Sequence, residues 1–326
     1  MNIGLVFVSF FIGIVVGLTG MGGGALMTPV LVLFFGIQPL AAVSSDLVAS
    51  AVMKPFGSFV HLRHGTVQLG LVKWLCLGSV PSAFCGVLIT RSLGSGDRLQ
   101  SVVKTSLGIV LVFAATALIV KAYLALVQRV RRRASGEKLD PAASSAVVVV
   151  RPIPTVIIGA IGGLVVGMTS VGSGSLIIIA LILLYPKLQA SQLVGTDLVQ
   201  AVPLVMSAAL GHIFFGDFKL GLTTSLLIGS VPGVLVGATL SSRAPGGLVR
   251  RALALVLLAS GLKLLGLGNL AMGVVLGVVI LIGPPLWMAA RARHGLPPLA
   301  RAEVAKQRQP DPSVRSGSAG GPAGRP

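Results

Sequence analysis

Two aspartates lie inside stretches of this 326-residue chain that are otherwise as apolar as membrane spans. They are Asp46 and Asp197, and the other six of the eight acidic residues fall in polar loops or in the C-terminal tail. A charge at the centre of a bilayer costs at least about 2.5–3.5 kcal/mol, so an ionisable residue at that depth usually faces a cavity and has a function. We predict that both aspartates couple proton movement. The alternative is that each only caps or polarises its helix.

Three further side chains could move charge beside these aspartates. Lys54 follows Asp46 by two helical turns, where it can neutralise a bound anion or pair with Asp46. The alternative for Lys54 is to extend its ammonium group to the membrane surface. His61 and His212 are candidate proton relays, since the charge of histidine changes near neutral pH. A histidine at a helix end also serves as a cap or contacts lipid headgroups.

Two glycine-rich stretches interrupt apolar runs, "GLTGMGGGAL" at residues 17–26 and "GMTSVGSGSL" at residues 167–176. A helix that starts after such a break presents free N–H donors and the positive end of its dipole, and glycine lets an anion approach the backbone. Backbone broken at this depth must be buried in protein or line an aqueous cavity. We therefore predict that the two breaks converge on a small anion. The alternative is close helix packing by small residues.

The predicted anion-binding residues supply backbone N–H groups, hydroxyls and one ammonium group. They are Thr19, Gly22, Gly23, Gly24, Ala25, Ser45, Lys54, Thr169, Gly172, Ser173, Gly174, Ser175 and Thr196. No catalytic set, metal site or cofactor is predicted, because the four histidines form no cluster and no G-x-x-x-x-G-K-[ST] loop is present. An intramembrane enzyme is therefore disfavoured.

The composition places these residues in a membrane. The chain is 54% hydrophobic and only 10% charged, whereas a soluble domain carries about 25% charged residues. Its formal net charge of +18 is concentrated beside apolar spans, with seven basic residues between Lys121 and Arg151 and seven more from Arg291 onward. Such clusters follow the positive-inside rule and contact anionic lipids, which argues against nucleic acid as a partner.

The chain also repeats itself. The two glycine-rich stretches align at a shift of 150 residues, and a shift of 151 then aligns "SSDLV" (44–48) with "GTDLV" (195–199), His61 with His212, and two copies of "GSVP" (78–81 and 229–232). Duplicated halves are the usual ground plan of secondary transporters. We predict an all-α polytopic membrane protein built from two homologous repeats with glycine-broken helices. An odd number of segments per repeat makes the repeats inverted.

The predicted elements divide the chain into five regions. Each half has a helix ending at its break, a short apolar segment and three longer helices: 2–19, 24–37, 40–62, 67–91 and 103–127, then 153–169, 174–186, 190–215, 219–241 and 248–267, with an extra helix at 269–289. The regions are repeat 1 (1–128), a basic cytoplasmic linker (129–151), repeat 2 (152–267), an extra transmembrane helix (268–290) and a disordered basic tail (291–326). The short apolar segments do not span about 30 Å of hydrocarbon unless they are tilted or partly buried.

At these motifs the sequence resembles the TauE/SafE family, the sulfite exporters grouped with toluene-sulfonate uptake permeases. The resemblance covers roughly residues 3–267 and rests on "GLTGMGGGALMTPVLVLFFGIQPLAAVSSDLV", "GSFVHLRHGTVQLGLVKWLCLGSVPSAFCG" and "VGTDLVQAVPLVMSAALGHIFFGDFKLGLTTSLLIGSVPGVLVG". It implies a duplicated multi-helix permease for small sulfur-containing anions. The sequence departs from the family pattern at two places. The first half has "SSDL" where the more typical motif is "GTDL", and the second break reads "SVGSG" where the usual motif is "GxGGG". The two halves are therefore expected to contribute unequally to the binding site.

The resemblance and the residues together predict a secondary transporter of sulfite, sulfonates or related organosulfur anions, working by alternating access with proton coupling. Its location is the cell membrane, as a multi-pass protein of the bacterial inner membrane, and an oligomer of identical chains is compatible with the sequence. A membrane scaffold subunit or an anion channel stays as the alternative. A scaffold would tolerate alanine at Asp46 and Asp197, and a channel would not accumulate solute.

Overall fold

The predicted all-α membrane fold is confirmed. The structure, a computed structural model, describes residues 2–19, 23–63, 65, 67–94, 96–134, 149–186, 188, 190–240 and 246–293. Within these ranges the chain forms eleven α-helices and no β-strand. Six of the helices are long and apolar enough to cross a membrane, and the chain is a multi-pass membrane protein.

The helices follow the predicted order. They are α1 (Ile3–Thr19), α2 (Gly24–Phe34), α3 (Pro39–Arg63), α4 (Leu69–Ser92), α5 (Asp97–Ala134), α6 (Pro152–Thr169), α7 (Leu176–Leu184), α8 (Ala190–Phe215), α9 (Leu220–Leu240), α10 (Gly246–Leu264) and α11 (Asn269–Arg293).

Several predicted helix ends are wrong. Helix α2 ends at Phe34 and α10 at Leu264, each three residues before the predicted end, and α11 continues to Arg293, four residues beyond it. Helix α5 begins at Asp97, whose carboxylate in the first turn complements the helix dipole, and it continues to Ala134, so the first residues of the predicted linker are helical. Helix α7 begins only at Leu176, because Gly174 with φ of 99° is not helical. Gly22, residues 135–148 of the predicted linker and residues 294–326 of the predicted tail lie outside the described residues.

Each break turns the chain back on itself. Helices α2 and α7 have 11 and 9 residues, which at 1.5 Å per residue is about half of a 30 Å hydrocarbon core. Phe35 at the end of α2 returns to the start of α1, where its ring lies 3.8 Å from the position of a Cβ on Gly4. Tyr185 at the end of α7 returns to the start of α6, where its hydroxyl lies 2.6 Å from Thr155 Oγ1. Helices α1 and α2, and α6 and α7, therefore form two helical hairpins.

The hairpins pack against helices from the opposite half of the chain. Helix α1 packs along α9, and α6 packs along α4, while α3 and α8 pack against each other. Helices α3 and α8 run antiparallel, since Ser44 contacts His212 near one end and Ser58 contacts Leu198 near the other. The predicted equivalent of α3 in the second half is α8. Corresponding helices thus pack side by side in opposite directions.

Glycines bring the backbones of these helices into direct contact. A Cβ on Gly233 of α9 would lie 2.2 Å from the Phe10 carbonyl oxygen of α1, and one on Gly163 of α6 would lie 2.3 Å from the Ser79 carbonyl oxygen of α4. The glycines of both "GSVP" motifs take part, since Gly78 faces Val156 and Gly229 faces Val6 in the same way. Helix packing by small residues is therefore the role of these motif glycines.

We expect Gly233→Ala to destabilise the protein by about 1–3 kcal/mol, because the added methyl group forces α1 and α9 apart. The matched control is Gly221→Ala on the same helix, where a Cβ meets nothing within 4 Å. Alanine favours a helix over glycine, so this control should be neutral or stabilising. The stabilities of both variants are measured by heating the detergent-solubilised protein and quantifying the remaining folded fraction by size-exclusion chromatography. Equal midpoints for the two variants would contradict the packing role.

By its internal contacts the chain divides into two units. The first comprises Met1–Ala122 and Leu139–Met272 and contains both hairpins. The second comprises Tyr123–Lys138 and Gly273–Pro326, and its described part is helical at 123–134 and 273–293. All residues of the candidate site lie in the first unit.

Candidate anion site at the two helix breaks

The two breaks meet in the interior of the first unit. Gly24, the first residue of α2, lies so close to Ser170, the first residue after α6, that a Cβ on Gly24 would be 2.0 Å from the Ser170 carbonyl oxygen. Only glycine permits this approach. Ser170 has φ of 59°, and no other non-glycine residue among those described has a positive φ. The predicted convergence of the breaks therefore has a specific backbone contact at its centre.

Asp46 joins the two breaks through hydrogen bonds. It is fully buried, and its Oδ2 accepts a hydrogen bond from Ser170 Oγ at 2.5 Å and another from Thr28 Oγ1 of α2 at 3.2 Å. Its Oδ1 lies 3.8 Å from the position of a Cβ on Gly23, and no described residue hydrogen-bonds to this oxygen. One carboxylate oxygen thus connects elements of both halves, while the other lies beside the first break.

Lys54 and Asp197 lie against the second break. Lys54 is 9% exposed, and its Nζ donates a hydrogen bond to Ser173 Oγ at 2.5 Å. Asp197 is 1% exposed and lies near the Gly174 backbone N–H of the second break. The charge of Lys54 acts on both Asp46 and Asp197. Lys54 is thus bonded to the second break, while Asp46 lies beside the first break through its Oδ1.

Several buried polar atoms of the cluster lack a partner among the described residues. Within the described part of the chain, the buried atoms without a hydrogen-bond partner include Ser45 Oγ, Asp46 Oδ1 and Asp197 Oδ1. Gln200 Oε1, one turn after Asp197, is another. A buried polar atom without a hydrogen bond costs about 1–3 kcal/mol, so such atoms are expected where a ligand or a moving proton supplies the missing contact. Two more such atoms, Thr223 Oγ1 and Ser230 Oγ, lie on α9, so unmatched buried atoms occur both beside the breaks and elsewhere in the helix bundle.

The two predicted relay histidines have different surroundings. His212 is fully buried, with Nδ1 2.8 Å from Ser44 Oγ and Nε2 2.8 Å from the Gly167 carbonyl oxygen, just before the second break. A carbonyl oxygen only accepts, so Nε2 carries the proton and donates it. His61, its predicted counterpart, is half-buried on α3. The two halves are therefore unequal at the histidines, as they are at Lys54, whose counterpart is Val205.

His212 also lines a cavity that reaches the protein surface. The cavity has a volume of about 230 Å³, and Arg91, Thr90, Gln100 and Asp217 contribute polar groups to its wall. The guanidinium group of Arg91 lies near the rim, with Nη1 3.4 Å from the Phe215 carbonyl oxygen. The His212 side chain itself is 0% exposed, so the cavity ends beside the imidazole and does not expose it to solvent.

Other predicted residues make local contacts. Thr19 and Thr169, the last residues of α1 and α6, each donate a hydrogen bond to the carbonyl oxygen four residues earlier, at 2.8 and 2.7 Å. Thr196 accepts one from the Gln68 backbone N–H just before α4, at 3.0 Å. Of the rest, Ala25 lies in the first turn of α2, Ser175 is the N-cap residue just before α7, and Gly172 lies within the second break.

The sequence patterns missed residues that hold the site together. Thr28 bonds to Asp46 but was not among the predicted site residues, whereas Ser170, which also bonds to Asp46, is one of the hydroxyl-bearing residues of the "GMTSVGSGSL" stretch. Thr28 lies four residues after Gly24, which places its side chain on the break side of α2, and this spacing could have indicated it. Gln200, whose Nε2 donates to Ser79 Oγ at 2.7 Å, lies three residues after Asp197 on the same face of α8.

Comparisons with known proteins agree with this architecture. The sulfite exporter TauE/SafE family matches residues 5–264. A probable membrane transporter protein of Bacillus subtilis (strain 168), YjnA, is 39% identical over 266 residues, which cover 81% of this chain and 100% of that protein. A second, YdhB of the same organism, is 27% identical over 263 residues, covering 80% of this chain and 99% of that protein. No solved structure matches the chain. The chain belongs to the sulfite exporter TauE/SafE family, and it is a membrane transporter.

Proposed function

We propose that the protein is a secondary transporter of small anions, with sulfite, sulfonates and related organosulfur anions as its substrates. The observation that carries the proposal is the meeting of the two helix breaks at Gly24 and Ser170, beside the buried ammonium group of Lys54. The α2 and α7 N-termini direct N–H groups and positive dipole ends into the same region. An oxyanion is the ligand that such donors fit best.

Alternating access is supported by the arrangement of the helices. Helices α3 and α8 pack antiparallel, and α1 and α6 each pack against a helix of the opposite half. A two-fold axis in the membrane plane produces this arrangement. The two hairpins then open towards opposite ends of the bundle, with one anion site shared between them.

Proton coupling through Asp46 and Asp197 is part of the proposal, with His212 as a relay. Both carboxylates are buried beside the breaks, and each has an oxygen without a partner among the described residues. His61 takes the corresponding place in the first half.

We expect proteoliposomes containing the purified full-length chain to accumulate at least one labelled anion from a panel of sulfite, methanesulfonate, ethanesulfonate and acetate. Accumulation should saturate with concentration and depend on an imposed pH gradient or membrane potential. Protein-free liposomes and excess unlabelled substrate serve as controls. Flux that neither saturates nor accumulates would indicate a channel, and absence of flux for the whole panel would refute the proposal.

A further inference from the structure

The donors that an anion would use are held in this structure by the chain's own carboxylates. Asp197 lies near the Gly174 N–H in the second break. Asp46 accepts the hydroxyl hydrogen bonds of Ser170 and Thr28. These carboxylates are chemically similar to a small oxyanion, and they sit where one is expected to bind.

We propose that Asp46 and Asp197 are tethered anions that compete with the substrate for the same donors, and that a substrate anion displaces a carboxylate only together with a proton. The inference rests on the proposed anion transport. It assigns the two aspartates a direct role in anion binding, in addition to proton coupling, and it fixes the direction of coupling, because anion and proton occupy the site together and cross the membrane the same way.

The charges around the site support co-binding. The positive charge of Lys54 on α3 interacts electrostatically with both carboxylates, and that of Lys121 on α5 interacts with Asp197. The imidazole of His212 on α8 is hydrogen-bonded to two neutral groups, the Ser44 hydroxyl and the Gly167 carbonyl. Two carboxylates and two ammonium groups balance, so an anion arriving alone would add net negative charge to a buried region. A proton that arrives with it restores the balance.

The partnerless oxygens explain where the proton goes and what it does. In the ionised state, Asp46 Oδ1 and Asp197 Oδ1 repel an anion at the neighbouring break. A proton on either oxygen removes this repulsion and converts an acceptor into an O–H donor. The same atom then becomes a ligand for the bound oxyanion.

The test uses methanesulfonate, the anion of a strong acid, which keeps its single charge across the pH range studied. Equilibrium binding of labelled methanesulfonate to the full-length chain in nanodiscs is measured from pH 6 to pH 8. One-proton linkage predicts an affinity that falls about tenfold for each unit of pH above the range in which the carboxylates are protonated. In proteoliposomes with the membrane potential clamped, entrapped pyranine should report one proton entering with each anion.

The variants Asp46→Asn and Asp197→Asn make each carboxylate permanently neutral while keeping its size and one acceptor oxygen. At least one of them should bind methanesulfonate about tenfold more tightly than the natural chain at pH 8, without dependence on pH. The same variant should exchange anions across the membrane but lose proton-driven accumulation. Asp97→Asn, which alters an exposed aspartate in the first turn of α5, is the matched control and should behave as the natural chain does.

A gain of affinity separates this role from a structural one, because a variant that only damages the fold binds more weakly. Saturable transport whose affinity is independent of pH, with no proton movement in the natural chain, would overturn the inference and the proposed proton coupling, and would leave the proposed anion transport intact. Because that measurement uses only the natural chain, it tests whether the anion and the proton bind together even if both asparagine variants fail to fold. Absence of saturable flux in the natural chain would refute both.

Discussion

Replacing Gly24 with alanine is expected to abolish anion transport. The added Cβ would lie 2.0 Å from the Ser170 carbonyl oxygen and 2.7 Å from Ser170 Oγ, so the two breaks must separate. Separation removes the hydrogen bond between Ser170 and Asp46, which otherwise joins the second break to α3. A displacement of about 1 Å at a positioning contact is enough to lower a rate about 100-fold. Initial rates of methanesulfonate uptake into proteoliposomes measure the loss.

The matched control is Gly57→Ala in α3, where an added Cβ has open space around it. This variant should transport at close to the natural rate, which shows that a glycine-to-alanine change in a membrane helix is harmless in itself. The amounts of folded protein are compared by size-exclusion chromatography, so that a lower rate in Gly24→Ala is assigned to the site. Normal transport by Gly24→Ala would show that the contact of the breaks is unimportant.

Replacing Lys54 with glutamine should have an effect of similar size for an electrostatic reason. Its ammonium group is 9% exposed and bonds to Ser173, and its charge acts on both buried aspartates. Removing one member of a buried charge cluster costs about 3–5 kcal/mol, because the remaining charges stay buried without compensation. We expect uptake to fall about 100-fold or more, together with a lower unfolding temperature.

Two further variants separate the effects of Lys54 on stability and on transport. The double variant Lys54→Gln with Asp197→Asn removes one charge of each sign, so it should regain much of the stability without regaining transport. Lys73→Gln removes an exposed lysine from α4 and serves as the control, with no expected change in either property. If Lys54→Gln alone transports anions normally, the ammonium group is not the counter-charge of the substrate.

Much of the architecture follows from patterns within single segments. Glycine-rich interruptions of apolar runs predicted where α1 and α6 end, because glycine is costly inside a helix and a bilayer tolerates broken backbone only in protein or beside water. Aspartates in apolar surroundings predicted that Asp46 and Asp197 would be buried with polar neighbours. These features depend on local composition and on the bilayer as solvent.

The remaining features depend on contacts between distant parts of the chain. Ser170 bonds to Asp46 across 124 residues, and no local pattern specifies that partner. The same holds for Thr196, predicted to bind the anion but bonded here to Gln68. The end of α5 at Ala134 was missed because a run of arginines continues a helix as readily as it forms a polar linker. Side-chain partners and helix ends are therefore decided by tertiary packing.

The glycine contacts of α1 with α9, and of α6 with α4, have a consequence for how the protein can move. Backbones in such close contact cannot slide past one another without side chains colliding, so each hairpin must travel as one rigid body with a helix encoded in the other half of the gene. The rigid bodies of this transporter therefore do not coincide with the two halves of its sequence. Each half is interlocked with the other, and neither can change its conformation alone.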